Sequence, residues 1–117
     1  MIQPSIIAMT GALVYEHPAL MPLFSANVID NEGEVLSHLV LSEIVQWTED
    51  HIDDETATCE SIWRWLADAF RRGDAPIQEL IAVSGVEMLS GPATPAGARI
   101  RRWLSPELAE LDPWPRG

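Results

Sequence analysis

The strongest constraint in the sequence is an apolar stripe between residues 59 and 70. Starting from Cys59, apolar side chains recur three, four, seven and eleven residues later, at Ile62, Trp63, Leu66 and Phe70. This spacing places all five side chains on one face of an α-helix, and that face must be buried against other elements. The pattern therefore predicts a helix that contributes one side to a core.

The ends of this helix carry charges that suit the helix dipole. Glu55 and Glu60 lie near its start, and Arg71 and Arg72 precede Gly73 at its end. Acidic groups are stabilising at a helix N terminus and basic groups at a C terminus, and glycine commonly follows the last helical residue. We expect the helix to end at residue 72, with Gly73 in the C′ position.

Two segments before the stripe also show helical spacing. In residues 5–15 the apolar side chains at helical spacing are Ile6, Met9 and Leu13. In residues 38–52 the face that we expect to be buried carries Val40, Ile44, Trp47 and His51. Residues 17–24, which contain two prolines, are expected to make one turn. Residues 25–36 are expected to form the longest loop, with a short strand over 26–29 as an alternative.

The C-terminal half contains three cap signals that predict helix starts. Asp74 precedes Pro76, Thr94 precedes Pro95, and Ser105 precedes Pro106. The helix that begins after Asp74 is expected to run to Met88, before Gly91-Pro92. Its small residues in mid-helix, Ser84 and Gly85, would be explained by the close approach of another helix.

The fold predicted from these patterns is all-α: a compact single-domain bundle of five or six short helices, with one long loop after the first helix. Residues 1–112 form the helical domain and residues 113–117 an irregular tail. A chain of 117 residues can bury roughly two-thirds of its unfolded surface, which is enough for one core.

The charge is distributed very unevenly along the chain. The net charge is −11, and residues 1–63 contain eleven acids and no lysine or arginine, whereas the seven acids and seven arginines of residues 64–117 cancel. Such a field repels nucleic acids and anionic membranes and accelerates encounters with basic partners. Solubility alone would also account for an acidic chain, and the cluster Arg99, Arg101 and Arg102 is expected to pair with the chain's own acids.

Other function classes find little support in the sequence. The N terminus lacks the basic residues of a secretory signal, no apolar run approaches the length of a membrane span, and a single cysteine, Cys59, forms no internal disulfide. These features predict a cytoplasmic protein. The chain has no phosphate-binding glycine loop and no lysine, and Cys59 belongs to the apolar stripe. We therefore expect no catalytic residues and no cofactor.

The three histidines do not form a recognisable metal site. His17 and His38 stand alone, while His51 lies beside four acids but lacks the spacing and turn glycine of a calcium-binding EF-hand loop. We expect His51 to be a hydrogen-bonded boundary residue and the chain to bind no metal. The acids beside His51 are either a solvated helix end or a patch that contacts a partner.

The five tryptophans divide into two groups. Trp47, Trp63 and Trp103 fall on apolar faces and are expected in the core. Trp65 lies about 120° from the stripe of its helix. It either packs against a second neighbour or anchors an interface, because tryptophan is enriched at binding hot spots. Trp114, between two prolines, leaves the same two alternatives open.

Three stretches of the chain carry a resemblance to a known family: residues 17–20 (HPAL) through 36–44 (LSHLVLSEI), 73–89 (GDAPIQELIAVSGVEML) and 103–108 (WLSPEL). In these stretches the sequence resembles a family of small, acidic, all-helical bacterial proteins, some of which are immunity-like proteins found beside polymorphic toxins. The last stretch departs from the family in having Ser105 where glycine is common, and Gly85 stands where a bulkier residue is usual. The resemblance implies a helical fold and an immunity or antitoxin function, and it carries over no catalytic residues.

These observations favour a non-catalytic protein that binds a basic partner protein, such as a cognate toxin domain whose active site it occludes. Acids in the loop predicted over residues 25–36, and around the end of the helix predicted over residues 38–52, would pair with arginine and lysine of the partner. Trp65 would be an apolar anchor. The residues expected to bind the partner are Asp30, Glu32, Glu34, Glu49, Asp50, Asp53, Asp54, Glu55 and Trp65.

Three alternatives remain open. A DNA mimic would inhibit a DNA-processing or defence protein and needs carboxylates spaced like phosphates along one face. An acidic subunit would keep a larger assembly soluble. An enzyme would need a deep pocket that places His17, His38 or His51 beside an acid.

Overall fold

The computed structural model describes residues 4–31, 33 and 36–114, and these residues form helices without strands. The chain begins with α1 (Pro4–Glu16), a 3₁₀ turn (Pro18–Leu20) and α2 (Met21–Asp30). It continues with α3 (Ser37–Asp50) and α4 (Thr56–Arg72). The C-terminal half contains α5 (Ala75–Ser84), a 3₁₀ turn (Val86–Met88), α6 (Pro95–Arg101) and α7 (Pro106–Ala109). The all-helical prediction is confirmed, with seven α-helices in place of five or six.

The core lies where the apolar faces of four helices meet. The predicted stripe of α4 is buried through Leu66, and Phe70 packs against its edge. Helix α5 packs against α1, α3 and α4, while α2 and α6 contact α3 and α7 contacts α4. Trp63 is the largest fully buried side chain. Its indole N–H donates to the hydroxyl of Thr48 at 3.1 Å, so α3 and α4 share a polar contact inside the core.

The largest difference from the sequence prediction is α2. Residues 21–30 form a helix, so the expected loop over residues 25–36 is too long, and the alternative strand over 26–29 is wrong. The buried residue of this helix is Asn27, whose Oδ1 accepts the backbone N–H of Leu36 at 3.1 Å. Helix α2 thus contributes a polar contact to the start of α3, which hydrophobic periodicity cannot reveal.

The cap signals are confirmed at three helix starts. The side chains of Asp74, Thr94 and Ser105 accept the backbone N–H groups of Ile77, Gly97 and Leu108, respectively. These bonds satisfy donors that the first turn of a helix leaves free.

The predicted end of α5 needs correction. The α-helix stops at Ser84, and a side chain at Gly85 would place its Cβ 2.3 Å from the carbonyl oxygen of Ile81. Gly85 is therefore required by its own helix, not by a neighbouring one. Ser84 does face another helix, because its hydroxyl lies 2.6 Å from Nδ1 of His38 on α3. Gly73 ends α4 in an extended conformation.

A buried polar network holds the C-terminal part of the described chain. The guanidinium of Arg101 donates to both carboxylate oxygens of Asp112, at 2.7 and 3.2 Å, and to the backbone carbonyls of Ser90 and Gly97. The Arg101 and Asp112 side chains are only 14% and 8% exposed. The structure describes the predicted tail as far as Trp114, and the backbone N–H of Trp114 also donates to the carboxylate of Asp112.

Candidate functional site

An acidic surface lies at the end of α3 and in the turn that follows. Glu43 and Asp50 are exposed on the outer face of α3, about 10 Å apart along its axis. The turn adds three exposed acids directly after Asp50. We call this group the acidic surface: Glu43, Asp50, Asp53, Asp54 and Glu55.

Little of the charge on this surface is neutralised by the residues that the structure describes. Asp53 pairs with the guanidinium of Arg99. Asp50 accepts a hydrogen bond from the neutral amide of Gln46 at 2.9 Å, and Glu55 accepts one from the hydroxyl of Thr58 at 3.3 Å. Neutral donors leave a carboxylate with its full negative charge, so four of the five acids remain available to a cationic partner.

The arginines of the described residues are mostly engaged elsewhere. Arg64, Arg71 and Arg72 form ion pairs with acids on α4 and α7, and Arg101 pairs with Asp112. Of the cluster expected to pair with the chain's own acids, Arg99 and Arg101 do so, whereas Arg102 forms no ion pair with the residues that the structure describes. The negative potential is therefore least compensated at the end of α3.

The field of this surface reaches into the core at Cys59. Burial, and secondarily the negative charges of Asp54 and Glu55, raise the pKa of the Cys59 thiol from 9.0 to about 11. The thiol donates to the carbonyl oxygen of Thr48 at 3.4 Å and stays protonated at neutral pH. Cys59 is accordingly a core residue, and its protonated thiol is a poor nucleophile.

Glu49 was predicted to contact a partner, but its side chain is used inside the molecule. Its carboxylate accepts the backbone N–H of Ser90 at 2.8 Å and the hydroxyl of the same residue at 2.7 Å. These bonds turn Glu49 toward the segment between α5 and α6, away from the outer face that bears Glu43 and Asp50. We leave Glu49 out of the acidic surface for this reason.

Two other predicted site residues, Asp30 and Trp65, lie on other helices than the acidic surface. Asp30 is exposed at the last position of α2, and Glu32 and Glu34 lie outside the described residues. Trp65 is half-buried against the core, and its indole N–H donates to the carboxylate of Glu16 at the end of α1. It lies nine residues beyond the first residue of α4, about 14 Å along the helix. Trp65 therefore does not flank the acids of the turn.

A second feature, which the sequence did not reveal, is the contact between His17 and Ser61. Nε2 of His17 lies 2.9 Å from the hydroxyl of Ser61, and Nδ1 lies 2.9 Å from the carbonyl oxygen of Leu13. A carbonyl oxygen can only accept, so in the neutral ring Nδ1 carries the proton and Nε2 accepts from Ser61. Both side chains line an open cavity of about 300 Å³ that also includes Glu16.

This cavity comes closest to the arrangement that an enzyme would need. A serine hydrogen-bonded to a histidine is the geometry of an activated nucleophile. Here a backbone carbonyl orients the ring, and it supplies no negative charge to stabilise an imidazolium, as the carboxylate of a catalytic triad does. The Glu16 carboxylate is engaged with Trp65. The contact is well suited to joining α1 to α4 and poorly suited to activating Ser61.

His51 occupies the boundary position that the sequence predicted. Its Nδ1 lies 3.0 Å from the carbonyl oxygen of Trp47, and the two rings stack with centroids 4.3 Å apart. Over residues 4–31, 33 and 36–114, histidine, cysteine and acidic side chains form no group of three or more that could hold a metal ion.

Sequence reasoning missed Glu43 as a member of the acidic surface. The available signal was its spacing of seven residues from Asp50, which places both on one face of a helix.

Comparisons of the chain with models of protein families, with curated proteins and with solved structures found no match. None of the helices in the described part of the chain is long and apolar enough to cross a membrane.

Proposed function

We propose that this chain is a non-catalytic binding protein that recognises a basic partner protein through the acidic surface. The observation that carries the proposal is the contrast in charge pairing. The acids at the end of α3 are exposed and mostly without a cation, whereas five of the six described arginines are held in ion pairs. A region of uncompensated charge steers a partner of opposite charge and selects against other proteins.

In its finer form, the proposal is that the partner is a toxin domain with a basic active site, which the chain occludes as an immunity protein. Enzymes that act on nucleic acids have basic active sites, because they bind a phosphate backbone. The exposed acids at the end of α3 are complementary in charge to such a cleft. The chain would inhibit by excluding substrate and would need no catalytic residue of its own.

The test uses the chain as bait in an extract of its native cells, at low salt and then at high salt. The surface variant is Asp50→Asn, Asp54→Asn and Glu55→Gln. The matched control is Glu79→Gln, Glu87→Gln and Glu110→Gln, which removes the same charge from exposed positions outside the acidic surface. We expect the unmodified chain and the control to retain one basic protein, and the surface variant to bind it roughly ten-fold or more weakly at low salt.

Two outcomes would overturn the proposal. Equal retention by the surface variant would show that the acidic surface is not the contact. Equal loss in both variants would show that only net charge matters. Once a partner is recovered, its activity should fall in proportion to added chain, and competition by duplex DNA for the same site would favour the DNA-mimic alternative.

A further inference from the structure

The outer face of α1 carries no charged side chain before Glu16. Ala8, Ala12 and Tyr15 are exposed, with Gly11 between them. Tyr15 is 82% exposed, more than any other large apolar side chain of the described residues. In a chain with a net charge of −11, an uncharged face of this length offers a place where two copies could meet with little repulsion.

An apolar groove runs beside this face. It has a volume of about 400 Å³ and lies between α1, α4 and the start of α5. Its walls include Met9, Trp65, Ala69 and Ile77. The groove is large enough for an aromatic side chain, and its walls are apolar along most of its length.

Opposite charges lie toward the two ends of the groove. Arg72 lines the end beside Ser5, near the start of α1, and its side chain is 72% exposed. Glu16 lies about one turn beyond Ala12, the last residue of α1 that lines the groove, and it accepts the indole N–H of Trp65. Ser5 and Glu16 are eleven residues apart, which is about 16 Å along the helix.

Gly11 is not explained by the packing of a single copy. A Cβ added at this position would meet nothing within 4 Å, so alanine would fit and would favour the helix. A glycine here allows another backbone to approach closely at the centre of the face.

We propose that a second copy of the chain docks on this face, with the two α1 helices antiparallel across a two-fold axis near Gly11. In this arrangement Tyr15 of each copy enters the apolar groove of the other. Glu16 of each copy then lies opposite the Ser5 end of the other helix, where the exposed Arg72 can exchange its ion pair with Asp68 for one with Glu16. The contact is isologous, which means that both copies use the same surface. The insertion of Tyr15 into the groove and the ion pair between Glu16 and Arg72 therefore each occur twice in the dimer.

The test is sedimentation velocity of the full chain over a wide range of concentrations, in low and moderate salt. We expect a monomer–dimer equilibrium that depends little on salt, because screening weakens both the repulsion between two acidic chains and the attraction within the two ion pairs. Salt should weaken binding at the acidic surface, so the two interactions can be separated. Tyr15→Ala should weaken dimerisation at least ten-fold, whereas Ile29→Ala, which removes a 75% exposed side chain from α2, should leave it unchanged.

A charge exchange tests the arrangement directly. Glu16→Arg and Arg72→Glu should each weaken the dimer, and the double variant should restore it. Glu16 and Arg72 lie toward opposite ends of the groove within one copy, so rescue requires a contact between copies. Gly11→Ala should raise the melting temperature of the monomer and weaken the dimer. A monomer at every concentration, or a dimer that is insensitive to Tyr15→Ala and to the charge exchange, would overturn the proposal.

Discussion

Both carboxylate oxygens of Glu49 accept hydrogen bonds from Ser90, one from its backbone N–H and one from its hydroxyl. The contact links the last turn of α3 to the segment before α6, across 41 positions of sequence. Asp50, the next residue, faces solvent. Two adjacent acids in one run of negative charge therefore have different tasks, one within the fold and one at the surface.

Replacing Glu49 should lower stability without changing partner binding. Glu49→Ala removes two hydrogen bonds to a carboxylate, and we expect the free energy of unfolding to fall by about 1.5–3 kcal/mol. Asp50→Ala is the matched control, and should change stability by less than about 0.5 kcal/mol because its side chain is exposed. Urea denaturation followed by tryptophan fluorescence measures both. Equal effects would show that the Ser90 contact adds little.

The hydrogen bond between Trp63 and Thr48 should be needed inside the core. Thr48→Val keeps the shape of the side chain but leaves the buried indole N–H without an acceptor, which costs about 1–3 kcal/mol. Thr48→Ser keeps the hydroxyl and loses one methyl group, so it serves as the control. We expect Thr48→Val to be the less stable variant in thermal denaturation. The reverse order would indicate that the methyl group matters more than the hydrogen bond.

Stability should decline in alkaline solution because of Cys59. The folded-state pKa of its thiol, about 11, lies above the ordinary value of 9.0. Below pH 9 the thiol is protonated in both states and its contribution is fully present. Between about pH 9 and pH 11 the thiol is deprotonated in the unfolded chain but still protonated in the folded one. The free energy of unfolding therefore falls by on the order of 2 kcal/mol over this range.

The control for this pH dependence is Cys59→Ala. The variant is expected to be less stable at neutral pH, because it leaves a small cavity. Its stability should nevertheless fall less steeply between pH 9 and pH 11. The chain has no lysine, so few other groups titrate in this range. Parallel pH profiles of the two proteins, measured by urea denaturation, would show that the thiol is not responsible.

Ser61 should behave as a structural residue. Ser61→Ala removes the hydrogen bond to Nε2 of His17, and because both side chains line an open cavity that water can enter, we expect a loss of about 0.5–1.5 kcal/mol in stability. If the chain is non-catalytic, a fluorophosphonate probe should not label Ser61. Labelling that disappears in His17→Ala would instead identify an activated serine. It would replace the binding proposal with an enzymatic one.

The elements that could be predicted from sequence are those whose signals are local. The stripe of α4 and the capping residues Asp74, Thr94 and Ser105 act within one or two helical turns, so the spacing of residues is sufficient to recognise them. Helix α2 was missed because its apolar face is short. Leu23 and Phe24 pack against the core, but the next turn of this face buries the polar Asn27, and Ile29 is 75% exposed. The hydrogen bond from Leu36 to Asn27 depends on tertiary packing, which the spacing of residues does not show.

The candidate site was predictable only in part, for a related reason. Spacing along α3 indicates which acids share an outer face, as Glu43 and Asp50 do. It cannot indicate which acid finds a partner elsewhere in the chain. The contacts of Glu49 with Ser90 and of Trp65 with Glu16 join residues 41 and 49 positions apart, and both depend on how the helices pack.

The buried network around Arg101 has a consequence for the opening motions of the molecule. Arg101 holds Asp112 and the carbonyl of Ser90 at once, and Ser90 in turn is held by Glu49. Residues near the end of a chain usually fray on their own, and their amide protons exchange rapidly with solvent. Here, opening of the chain from α7 onward would remove Asp112 and leave the Arg101 guanidinium, which is only 14% exposed, without its carboxylate partner. Amide exchange in α6 and α7 should therefore proceed together with that of the last turn of α3, as one cooperative unit.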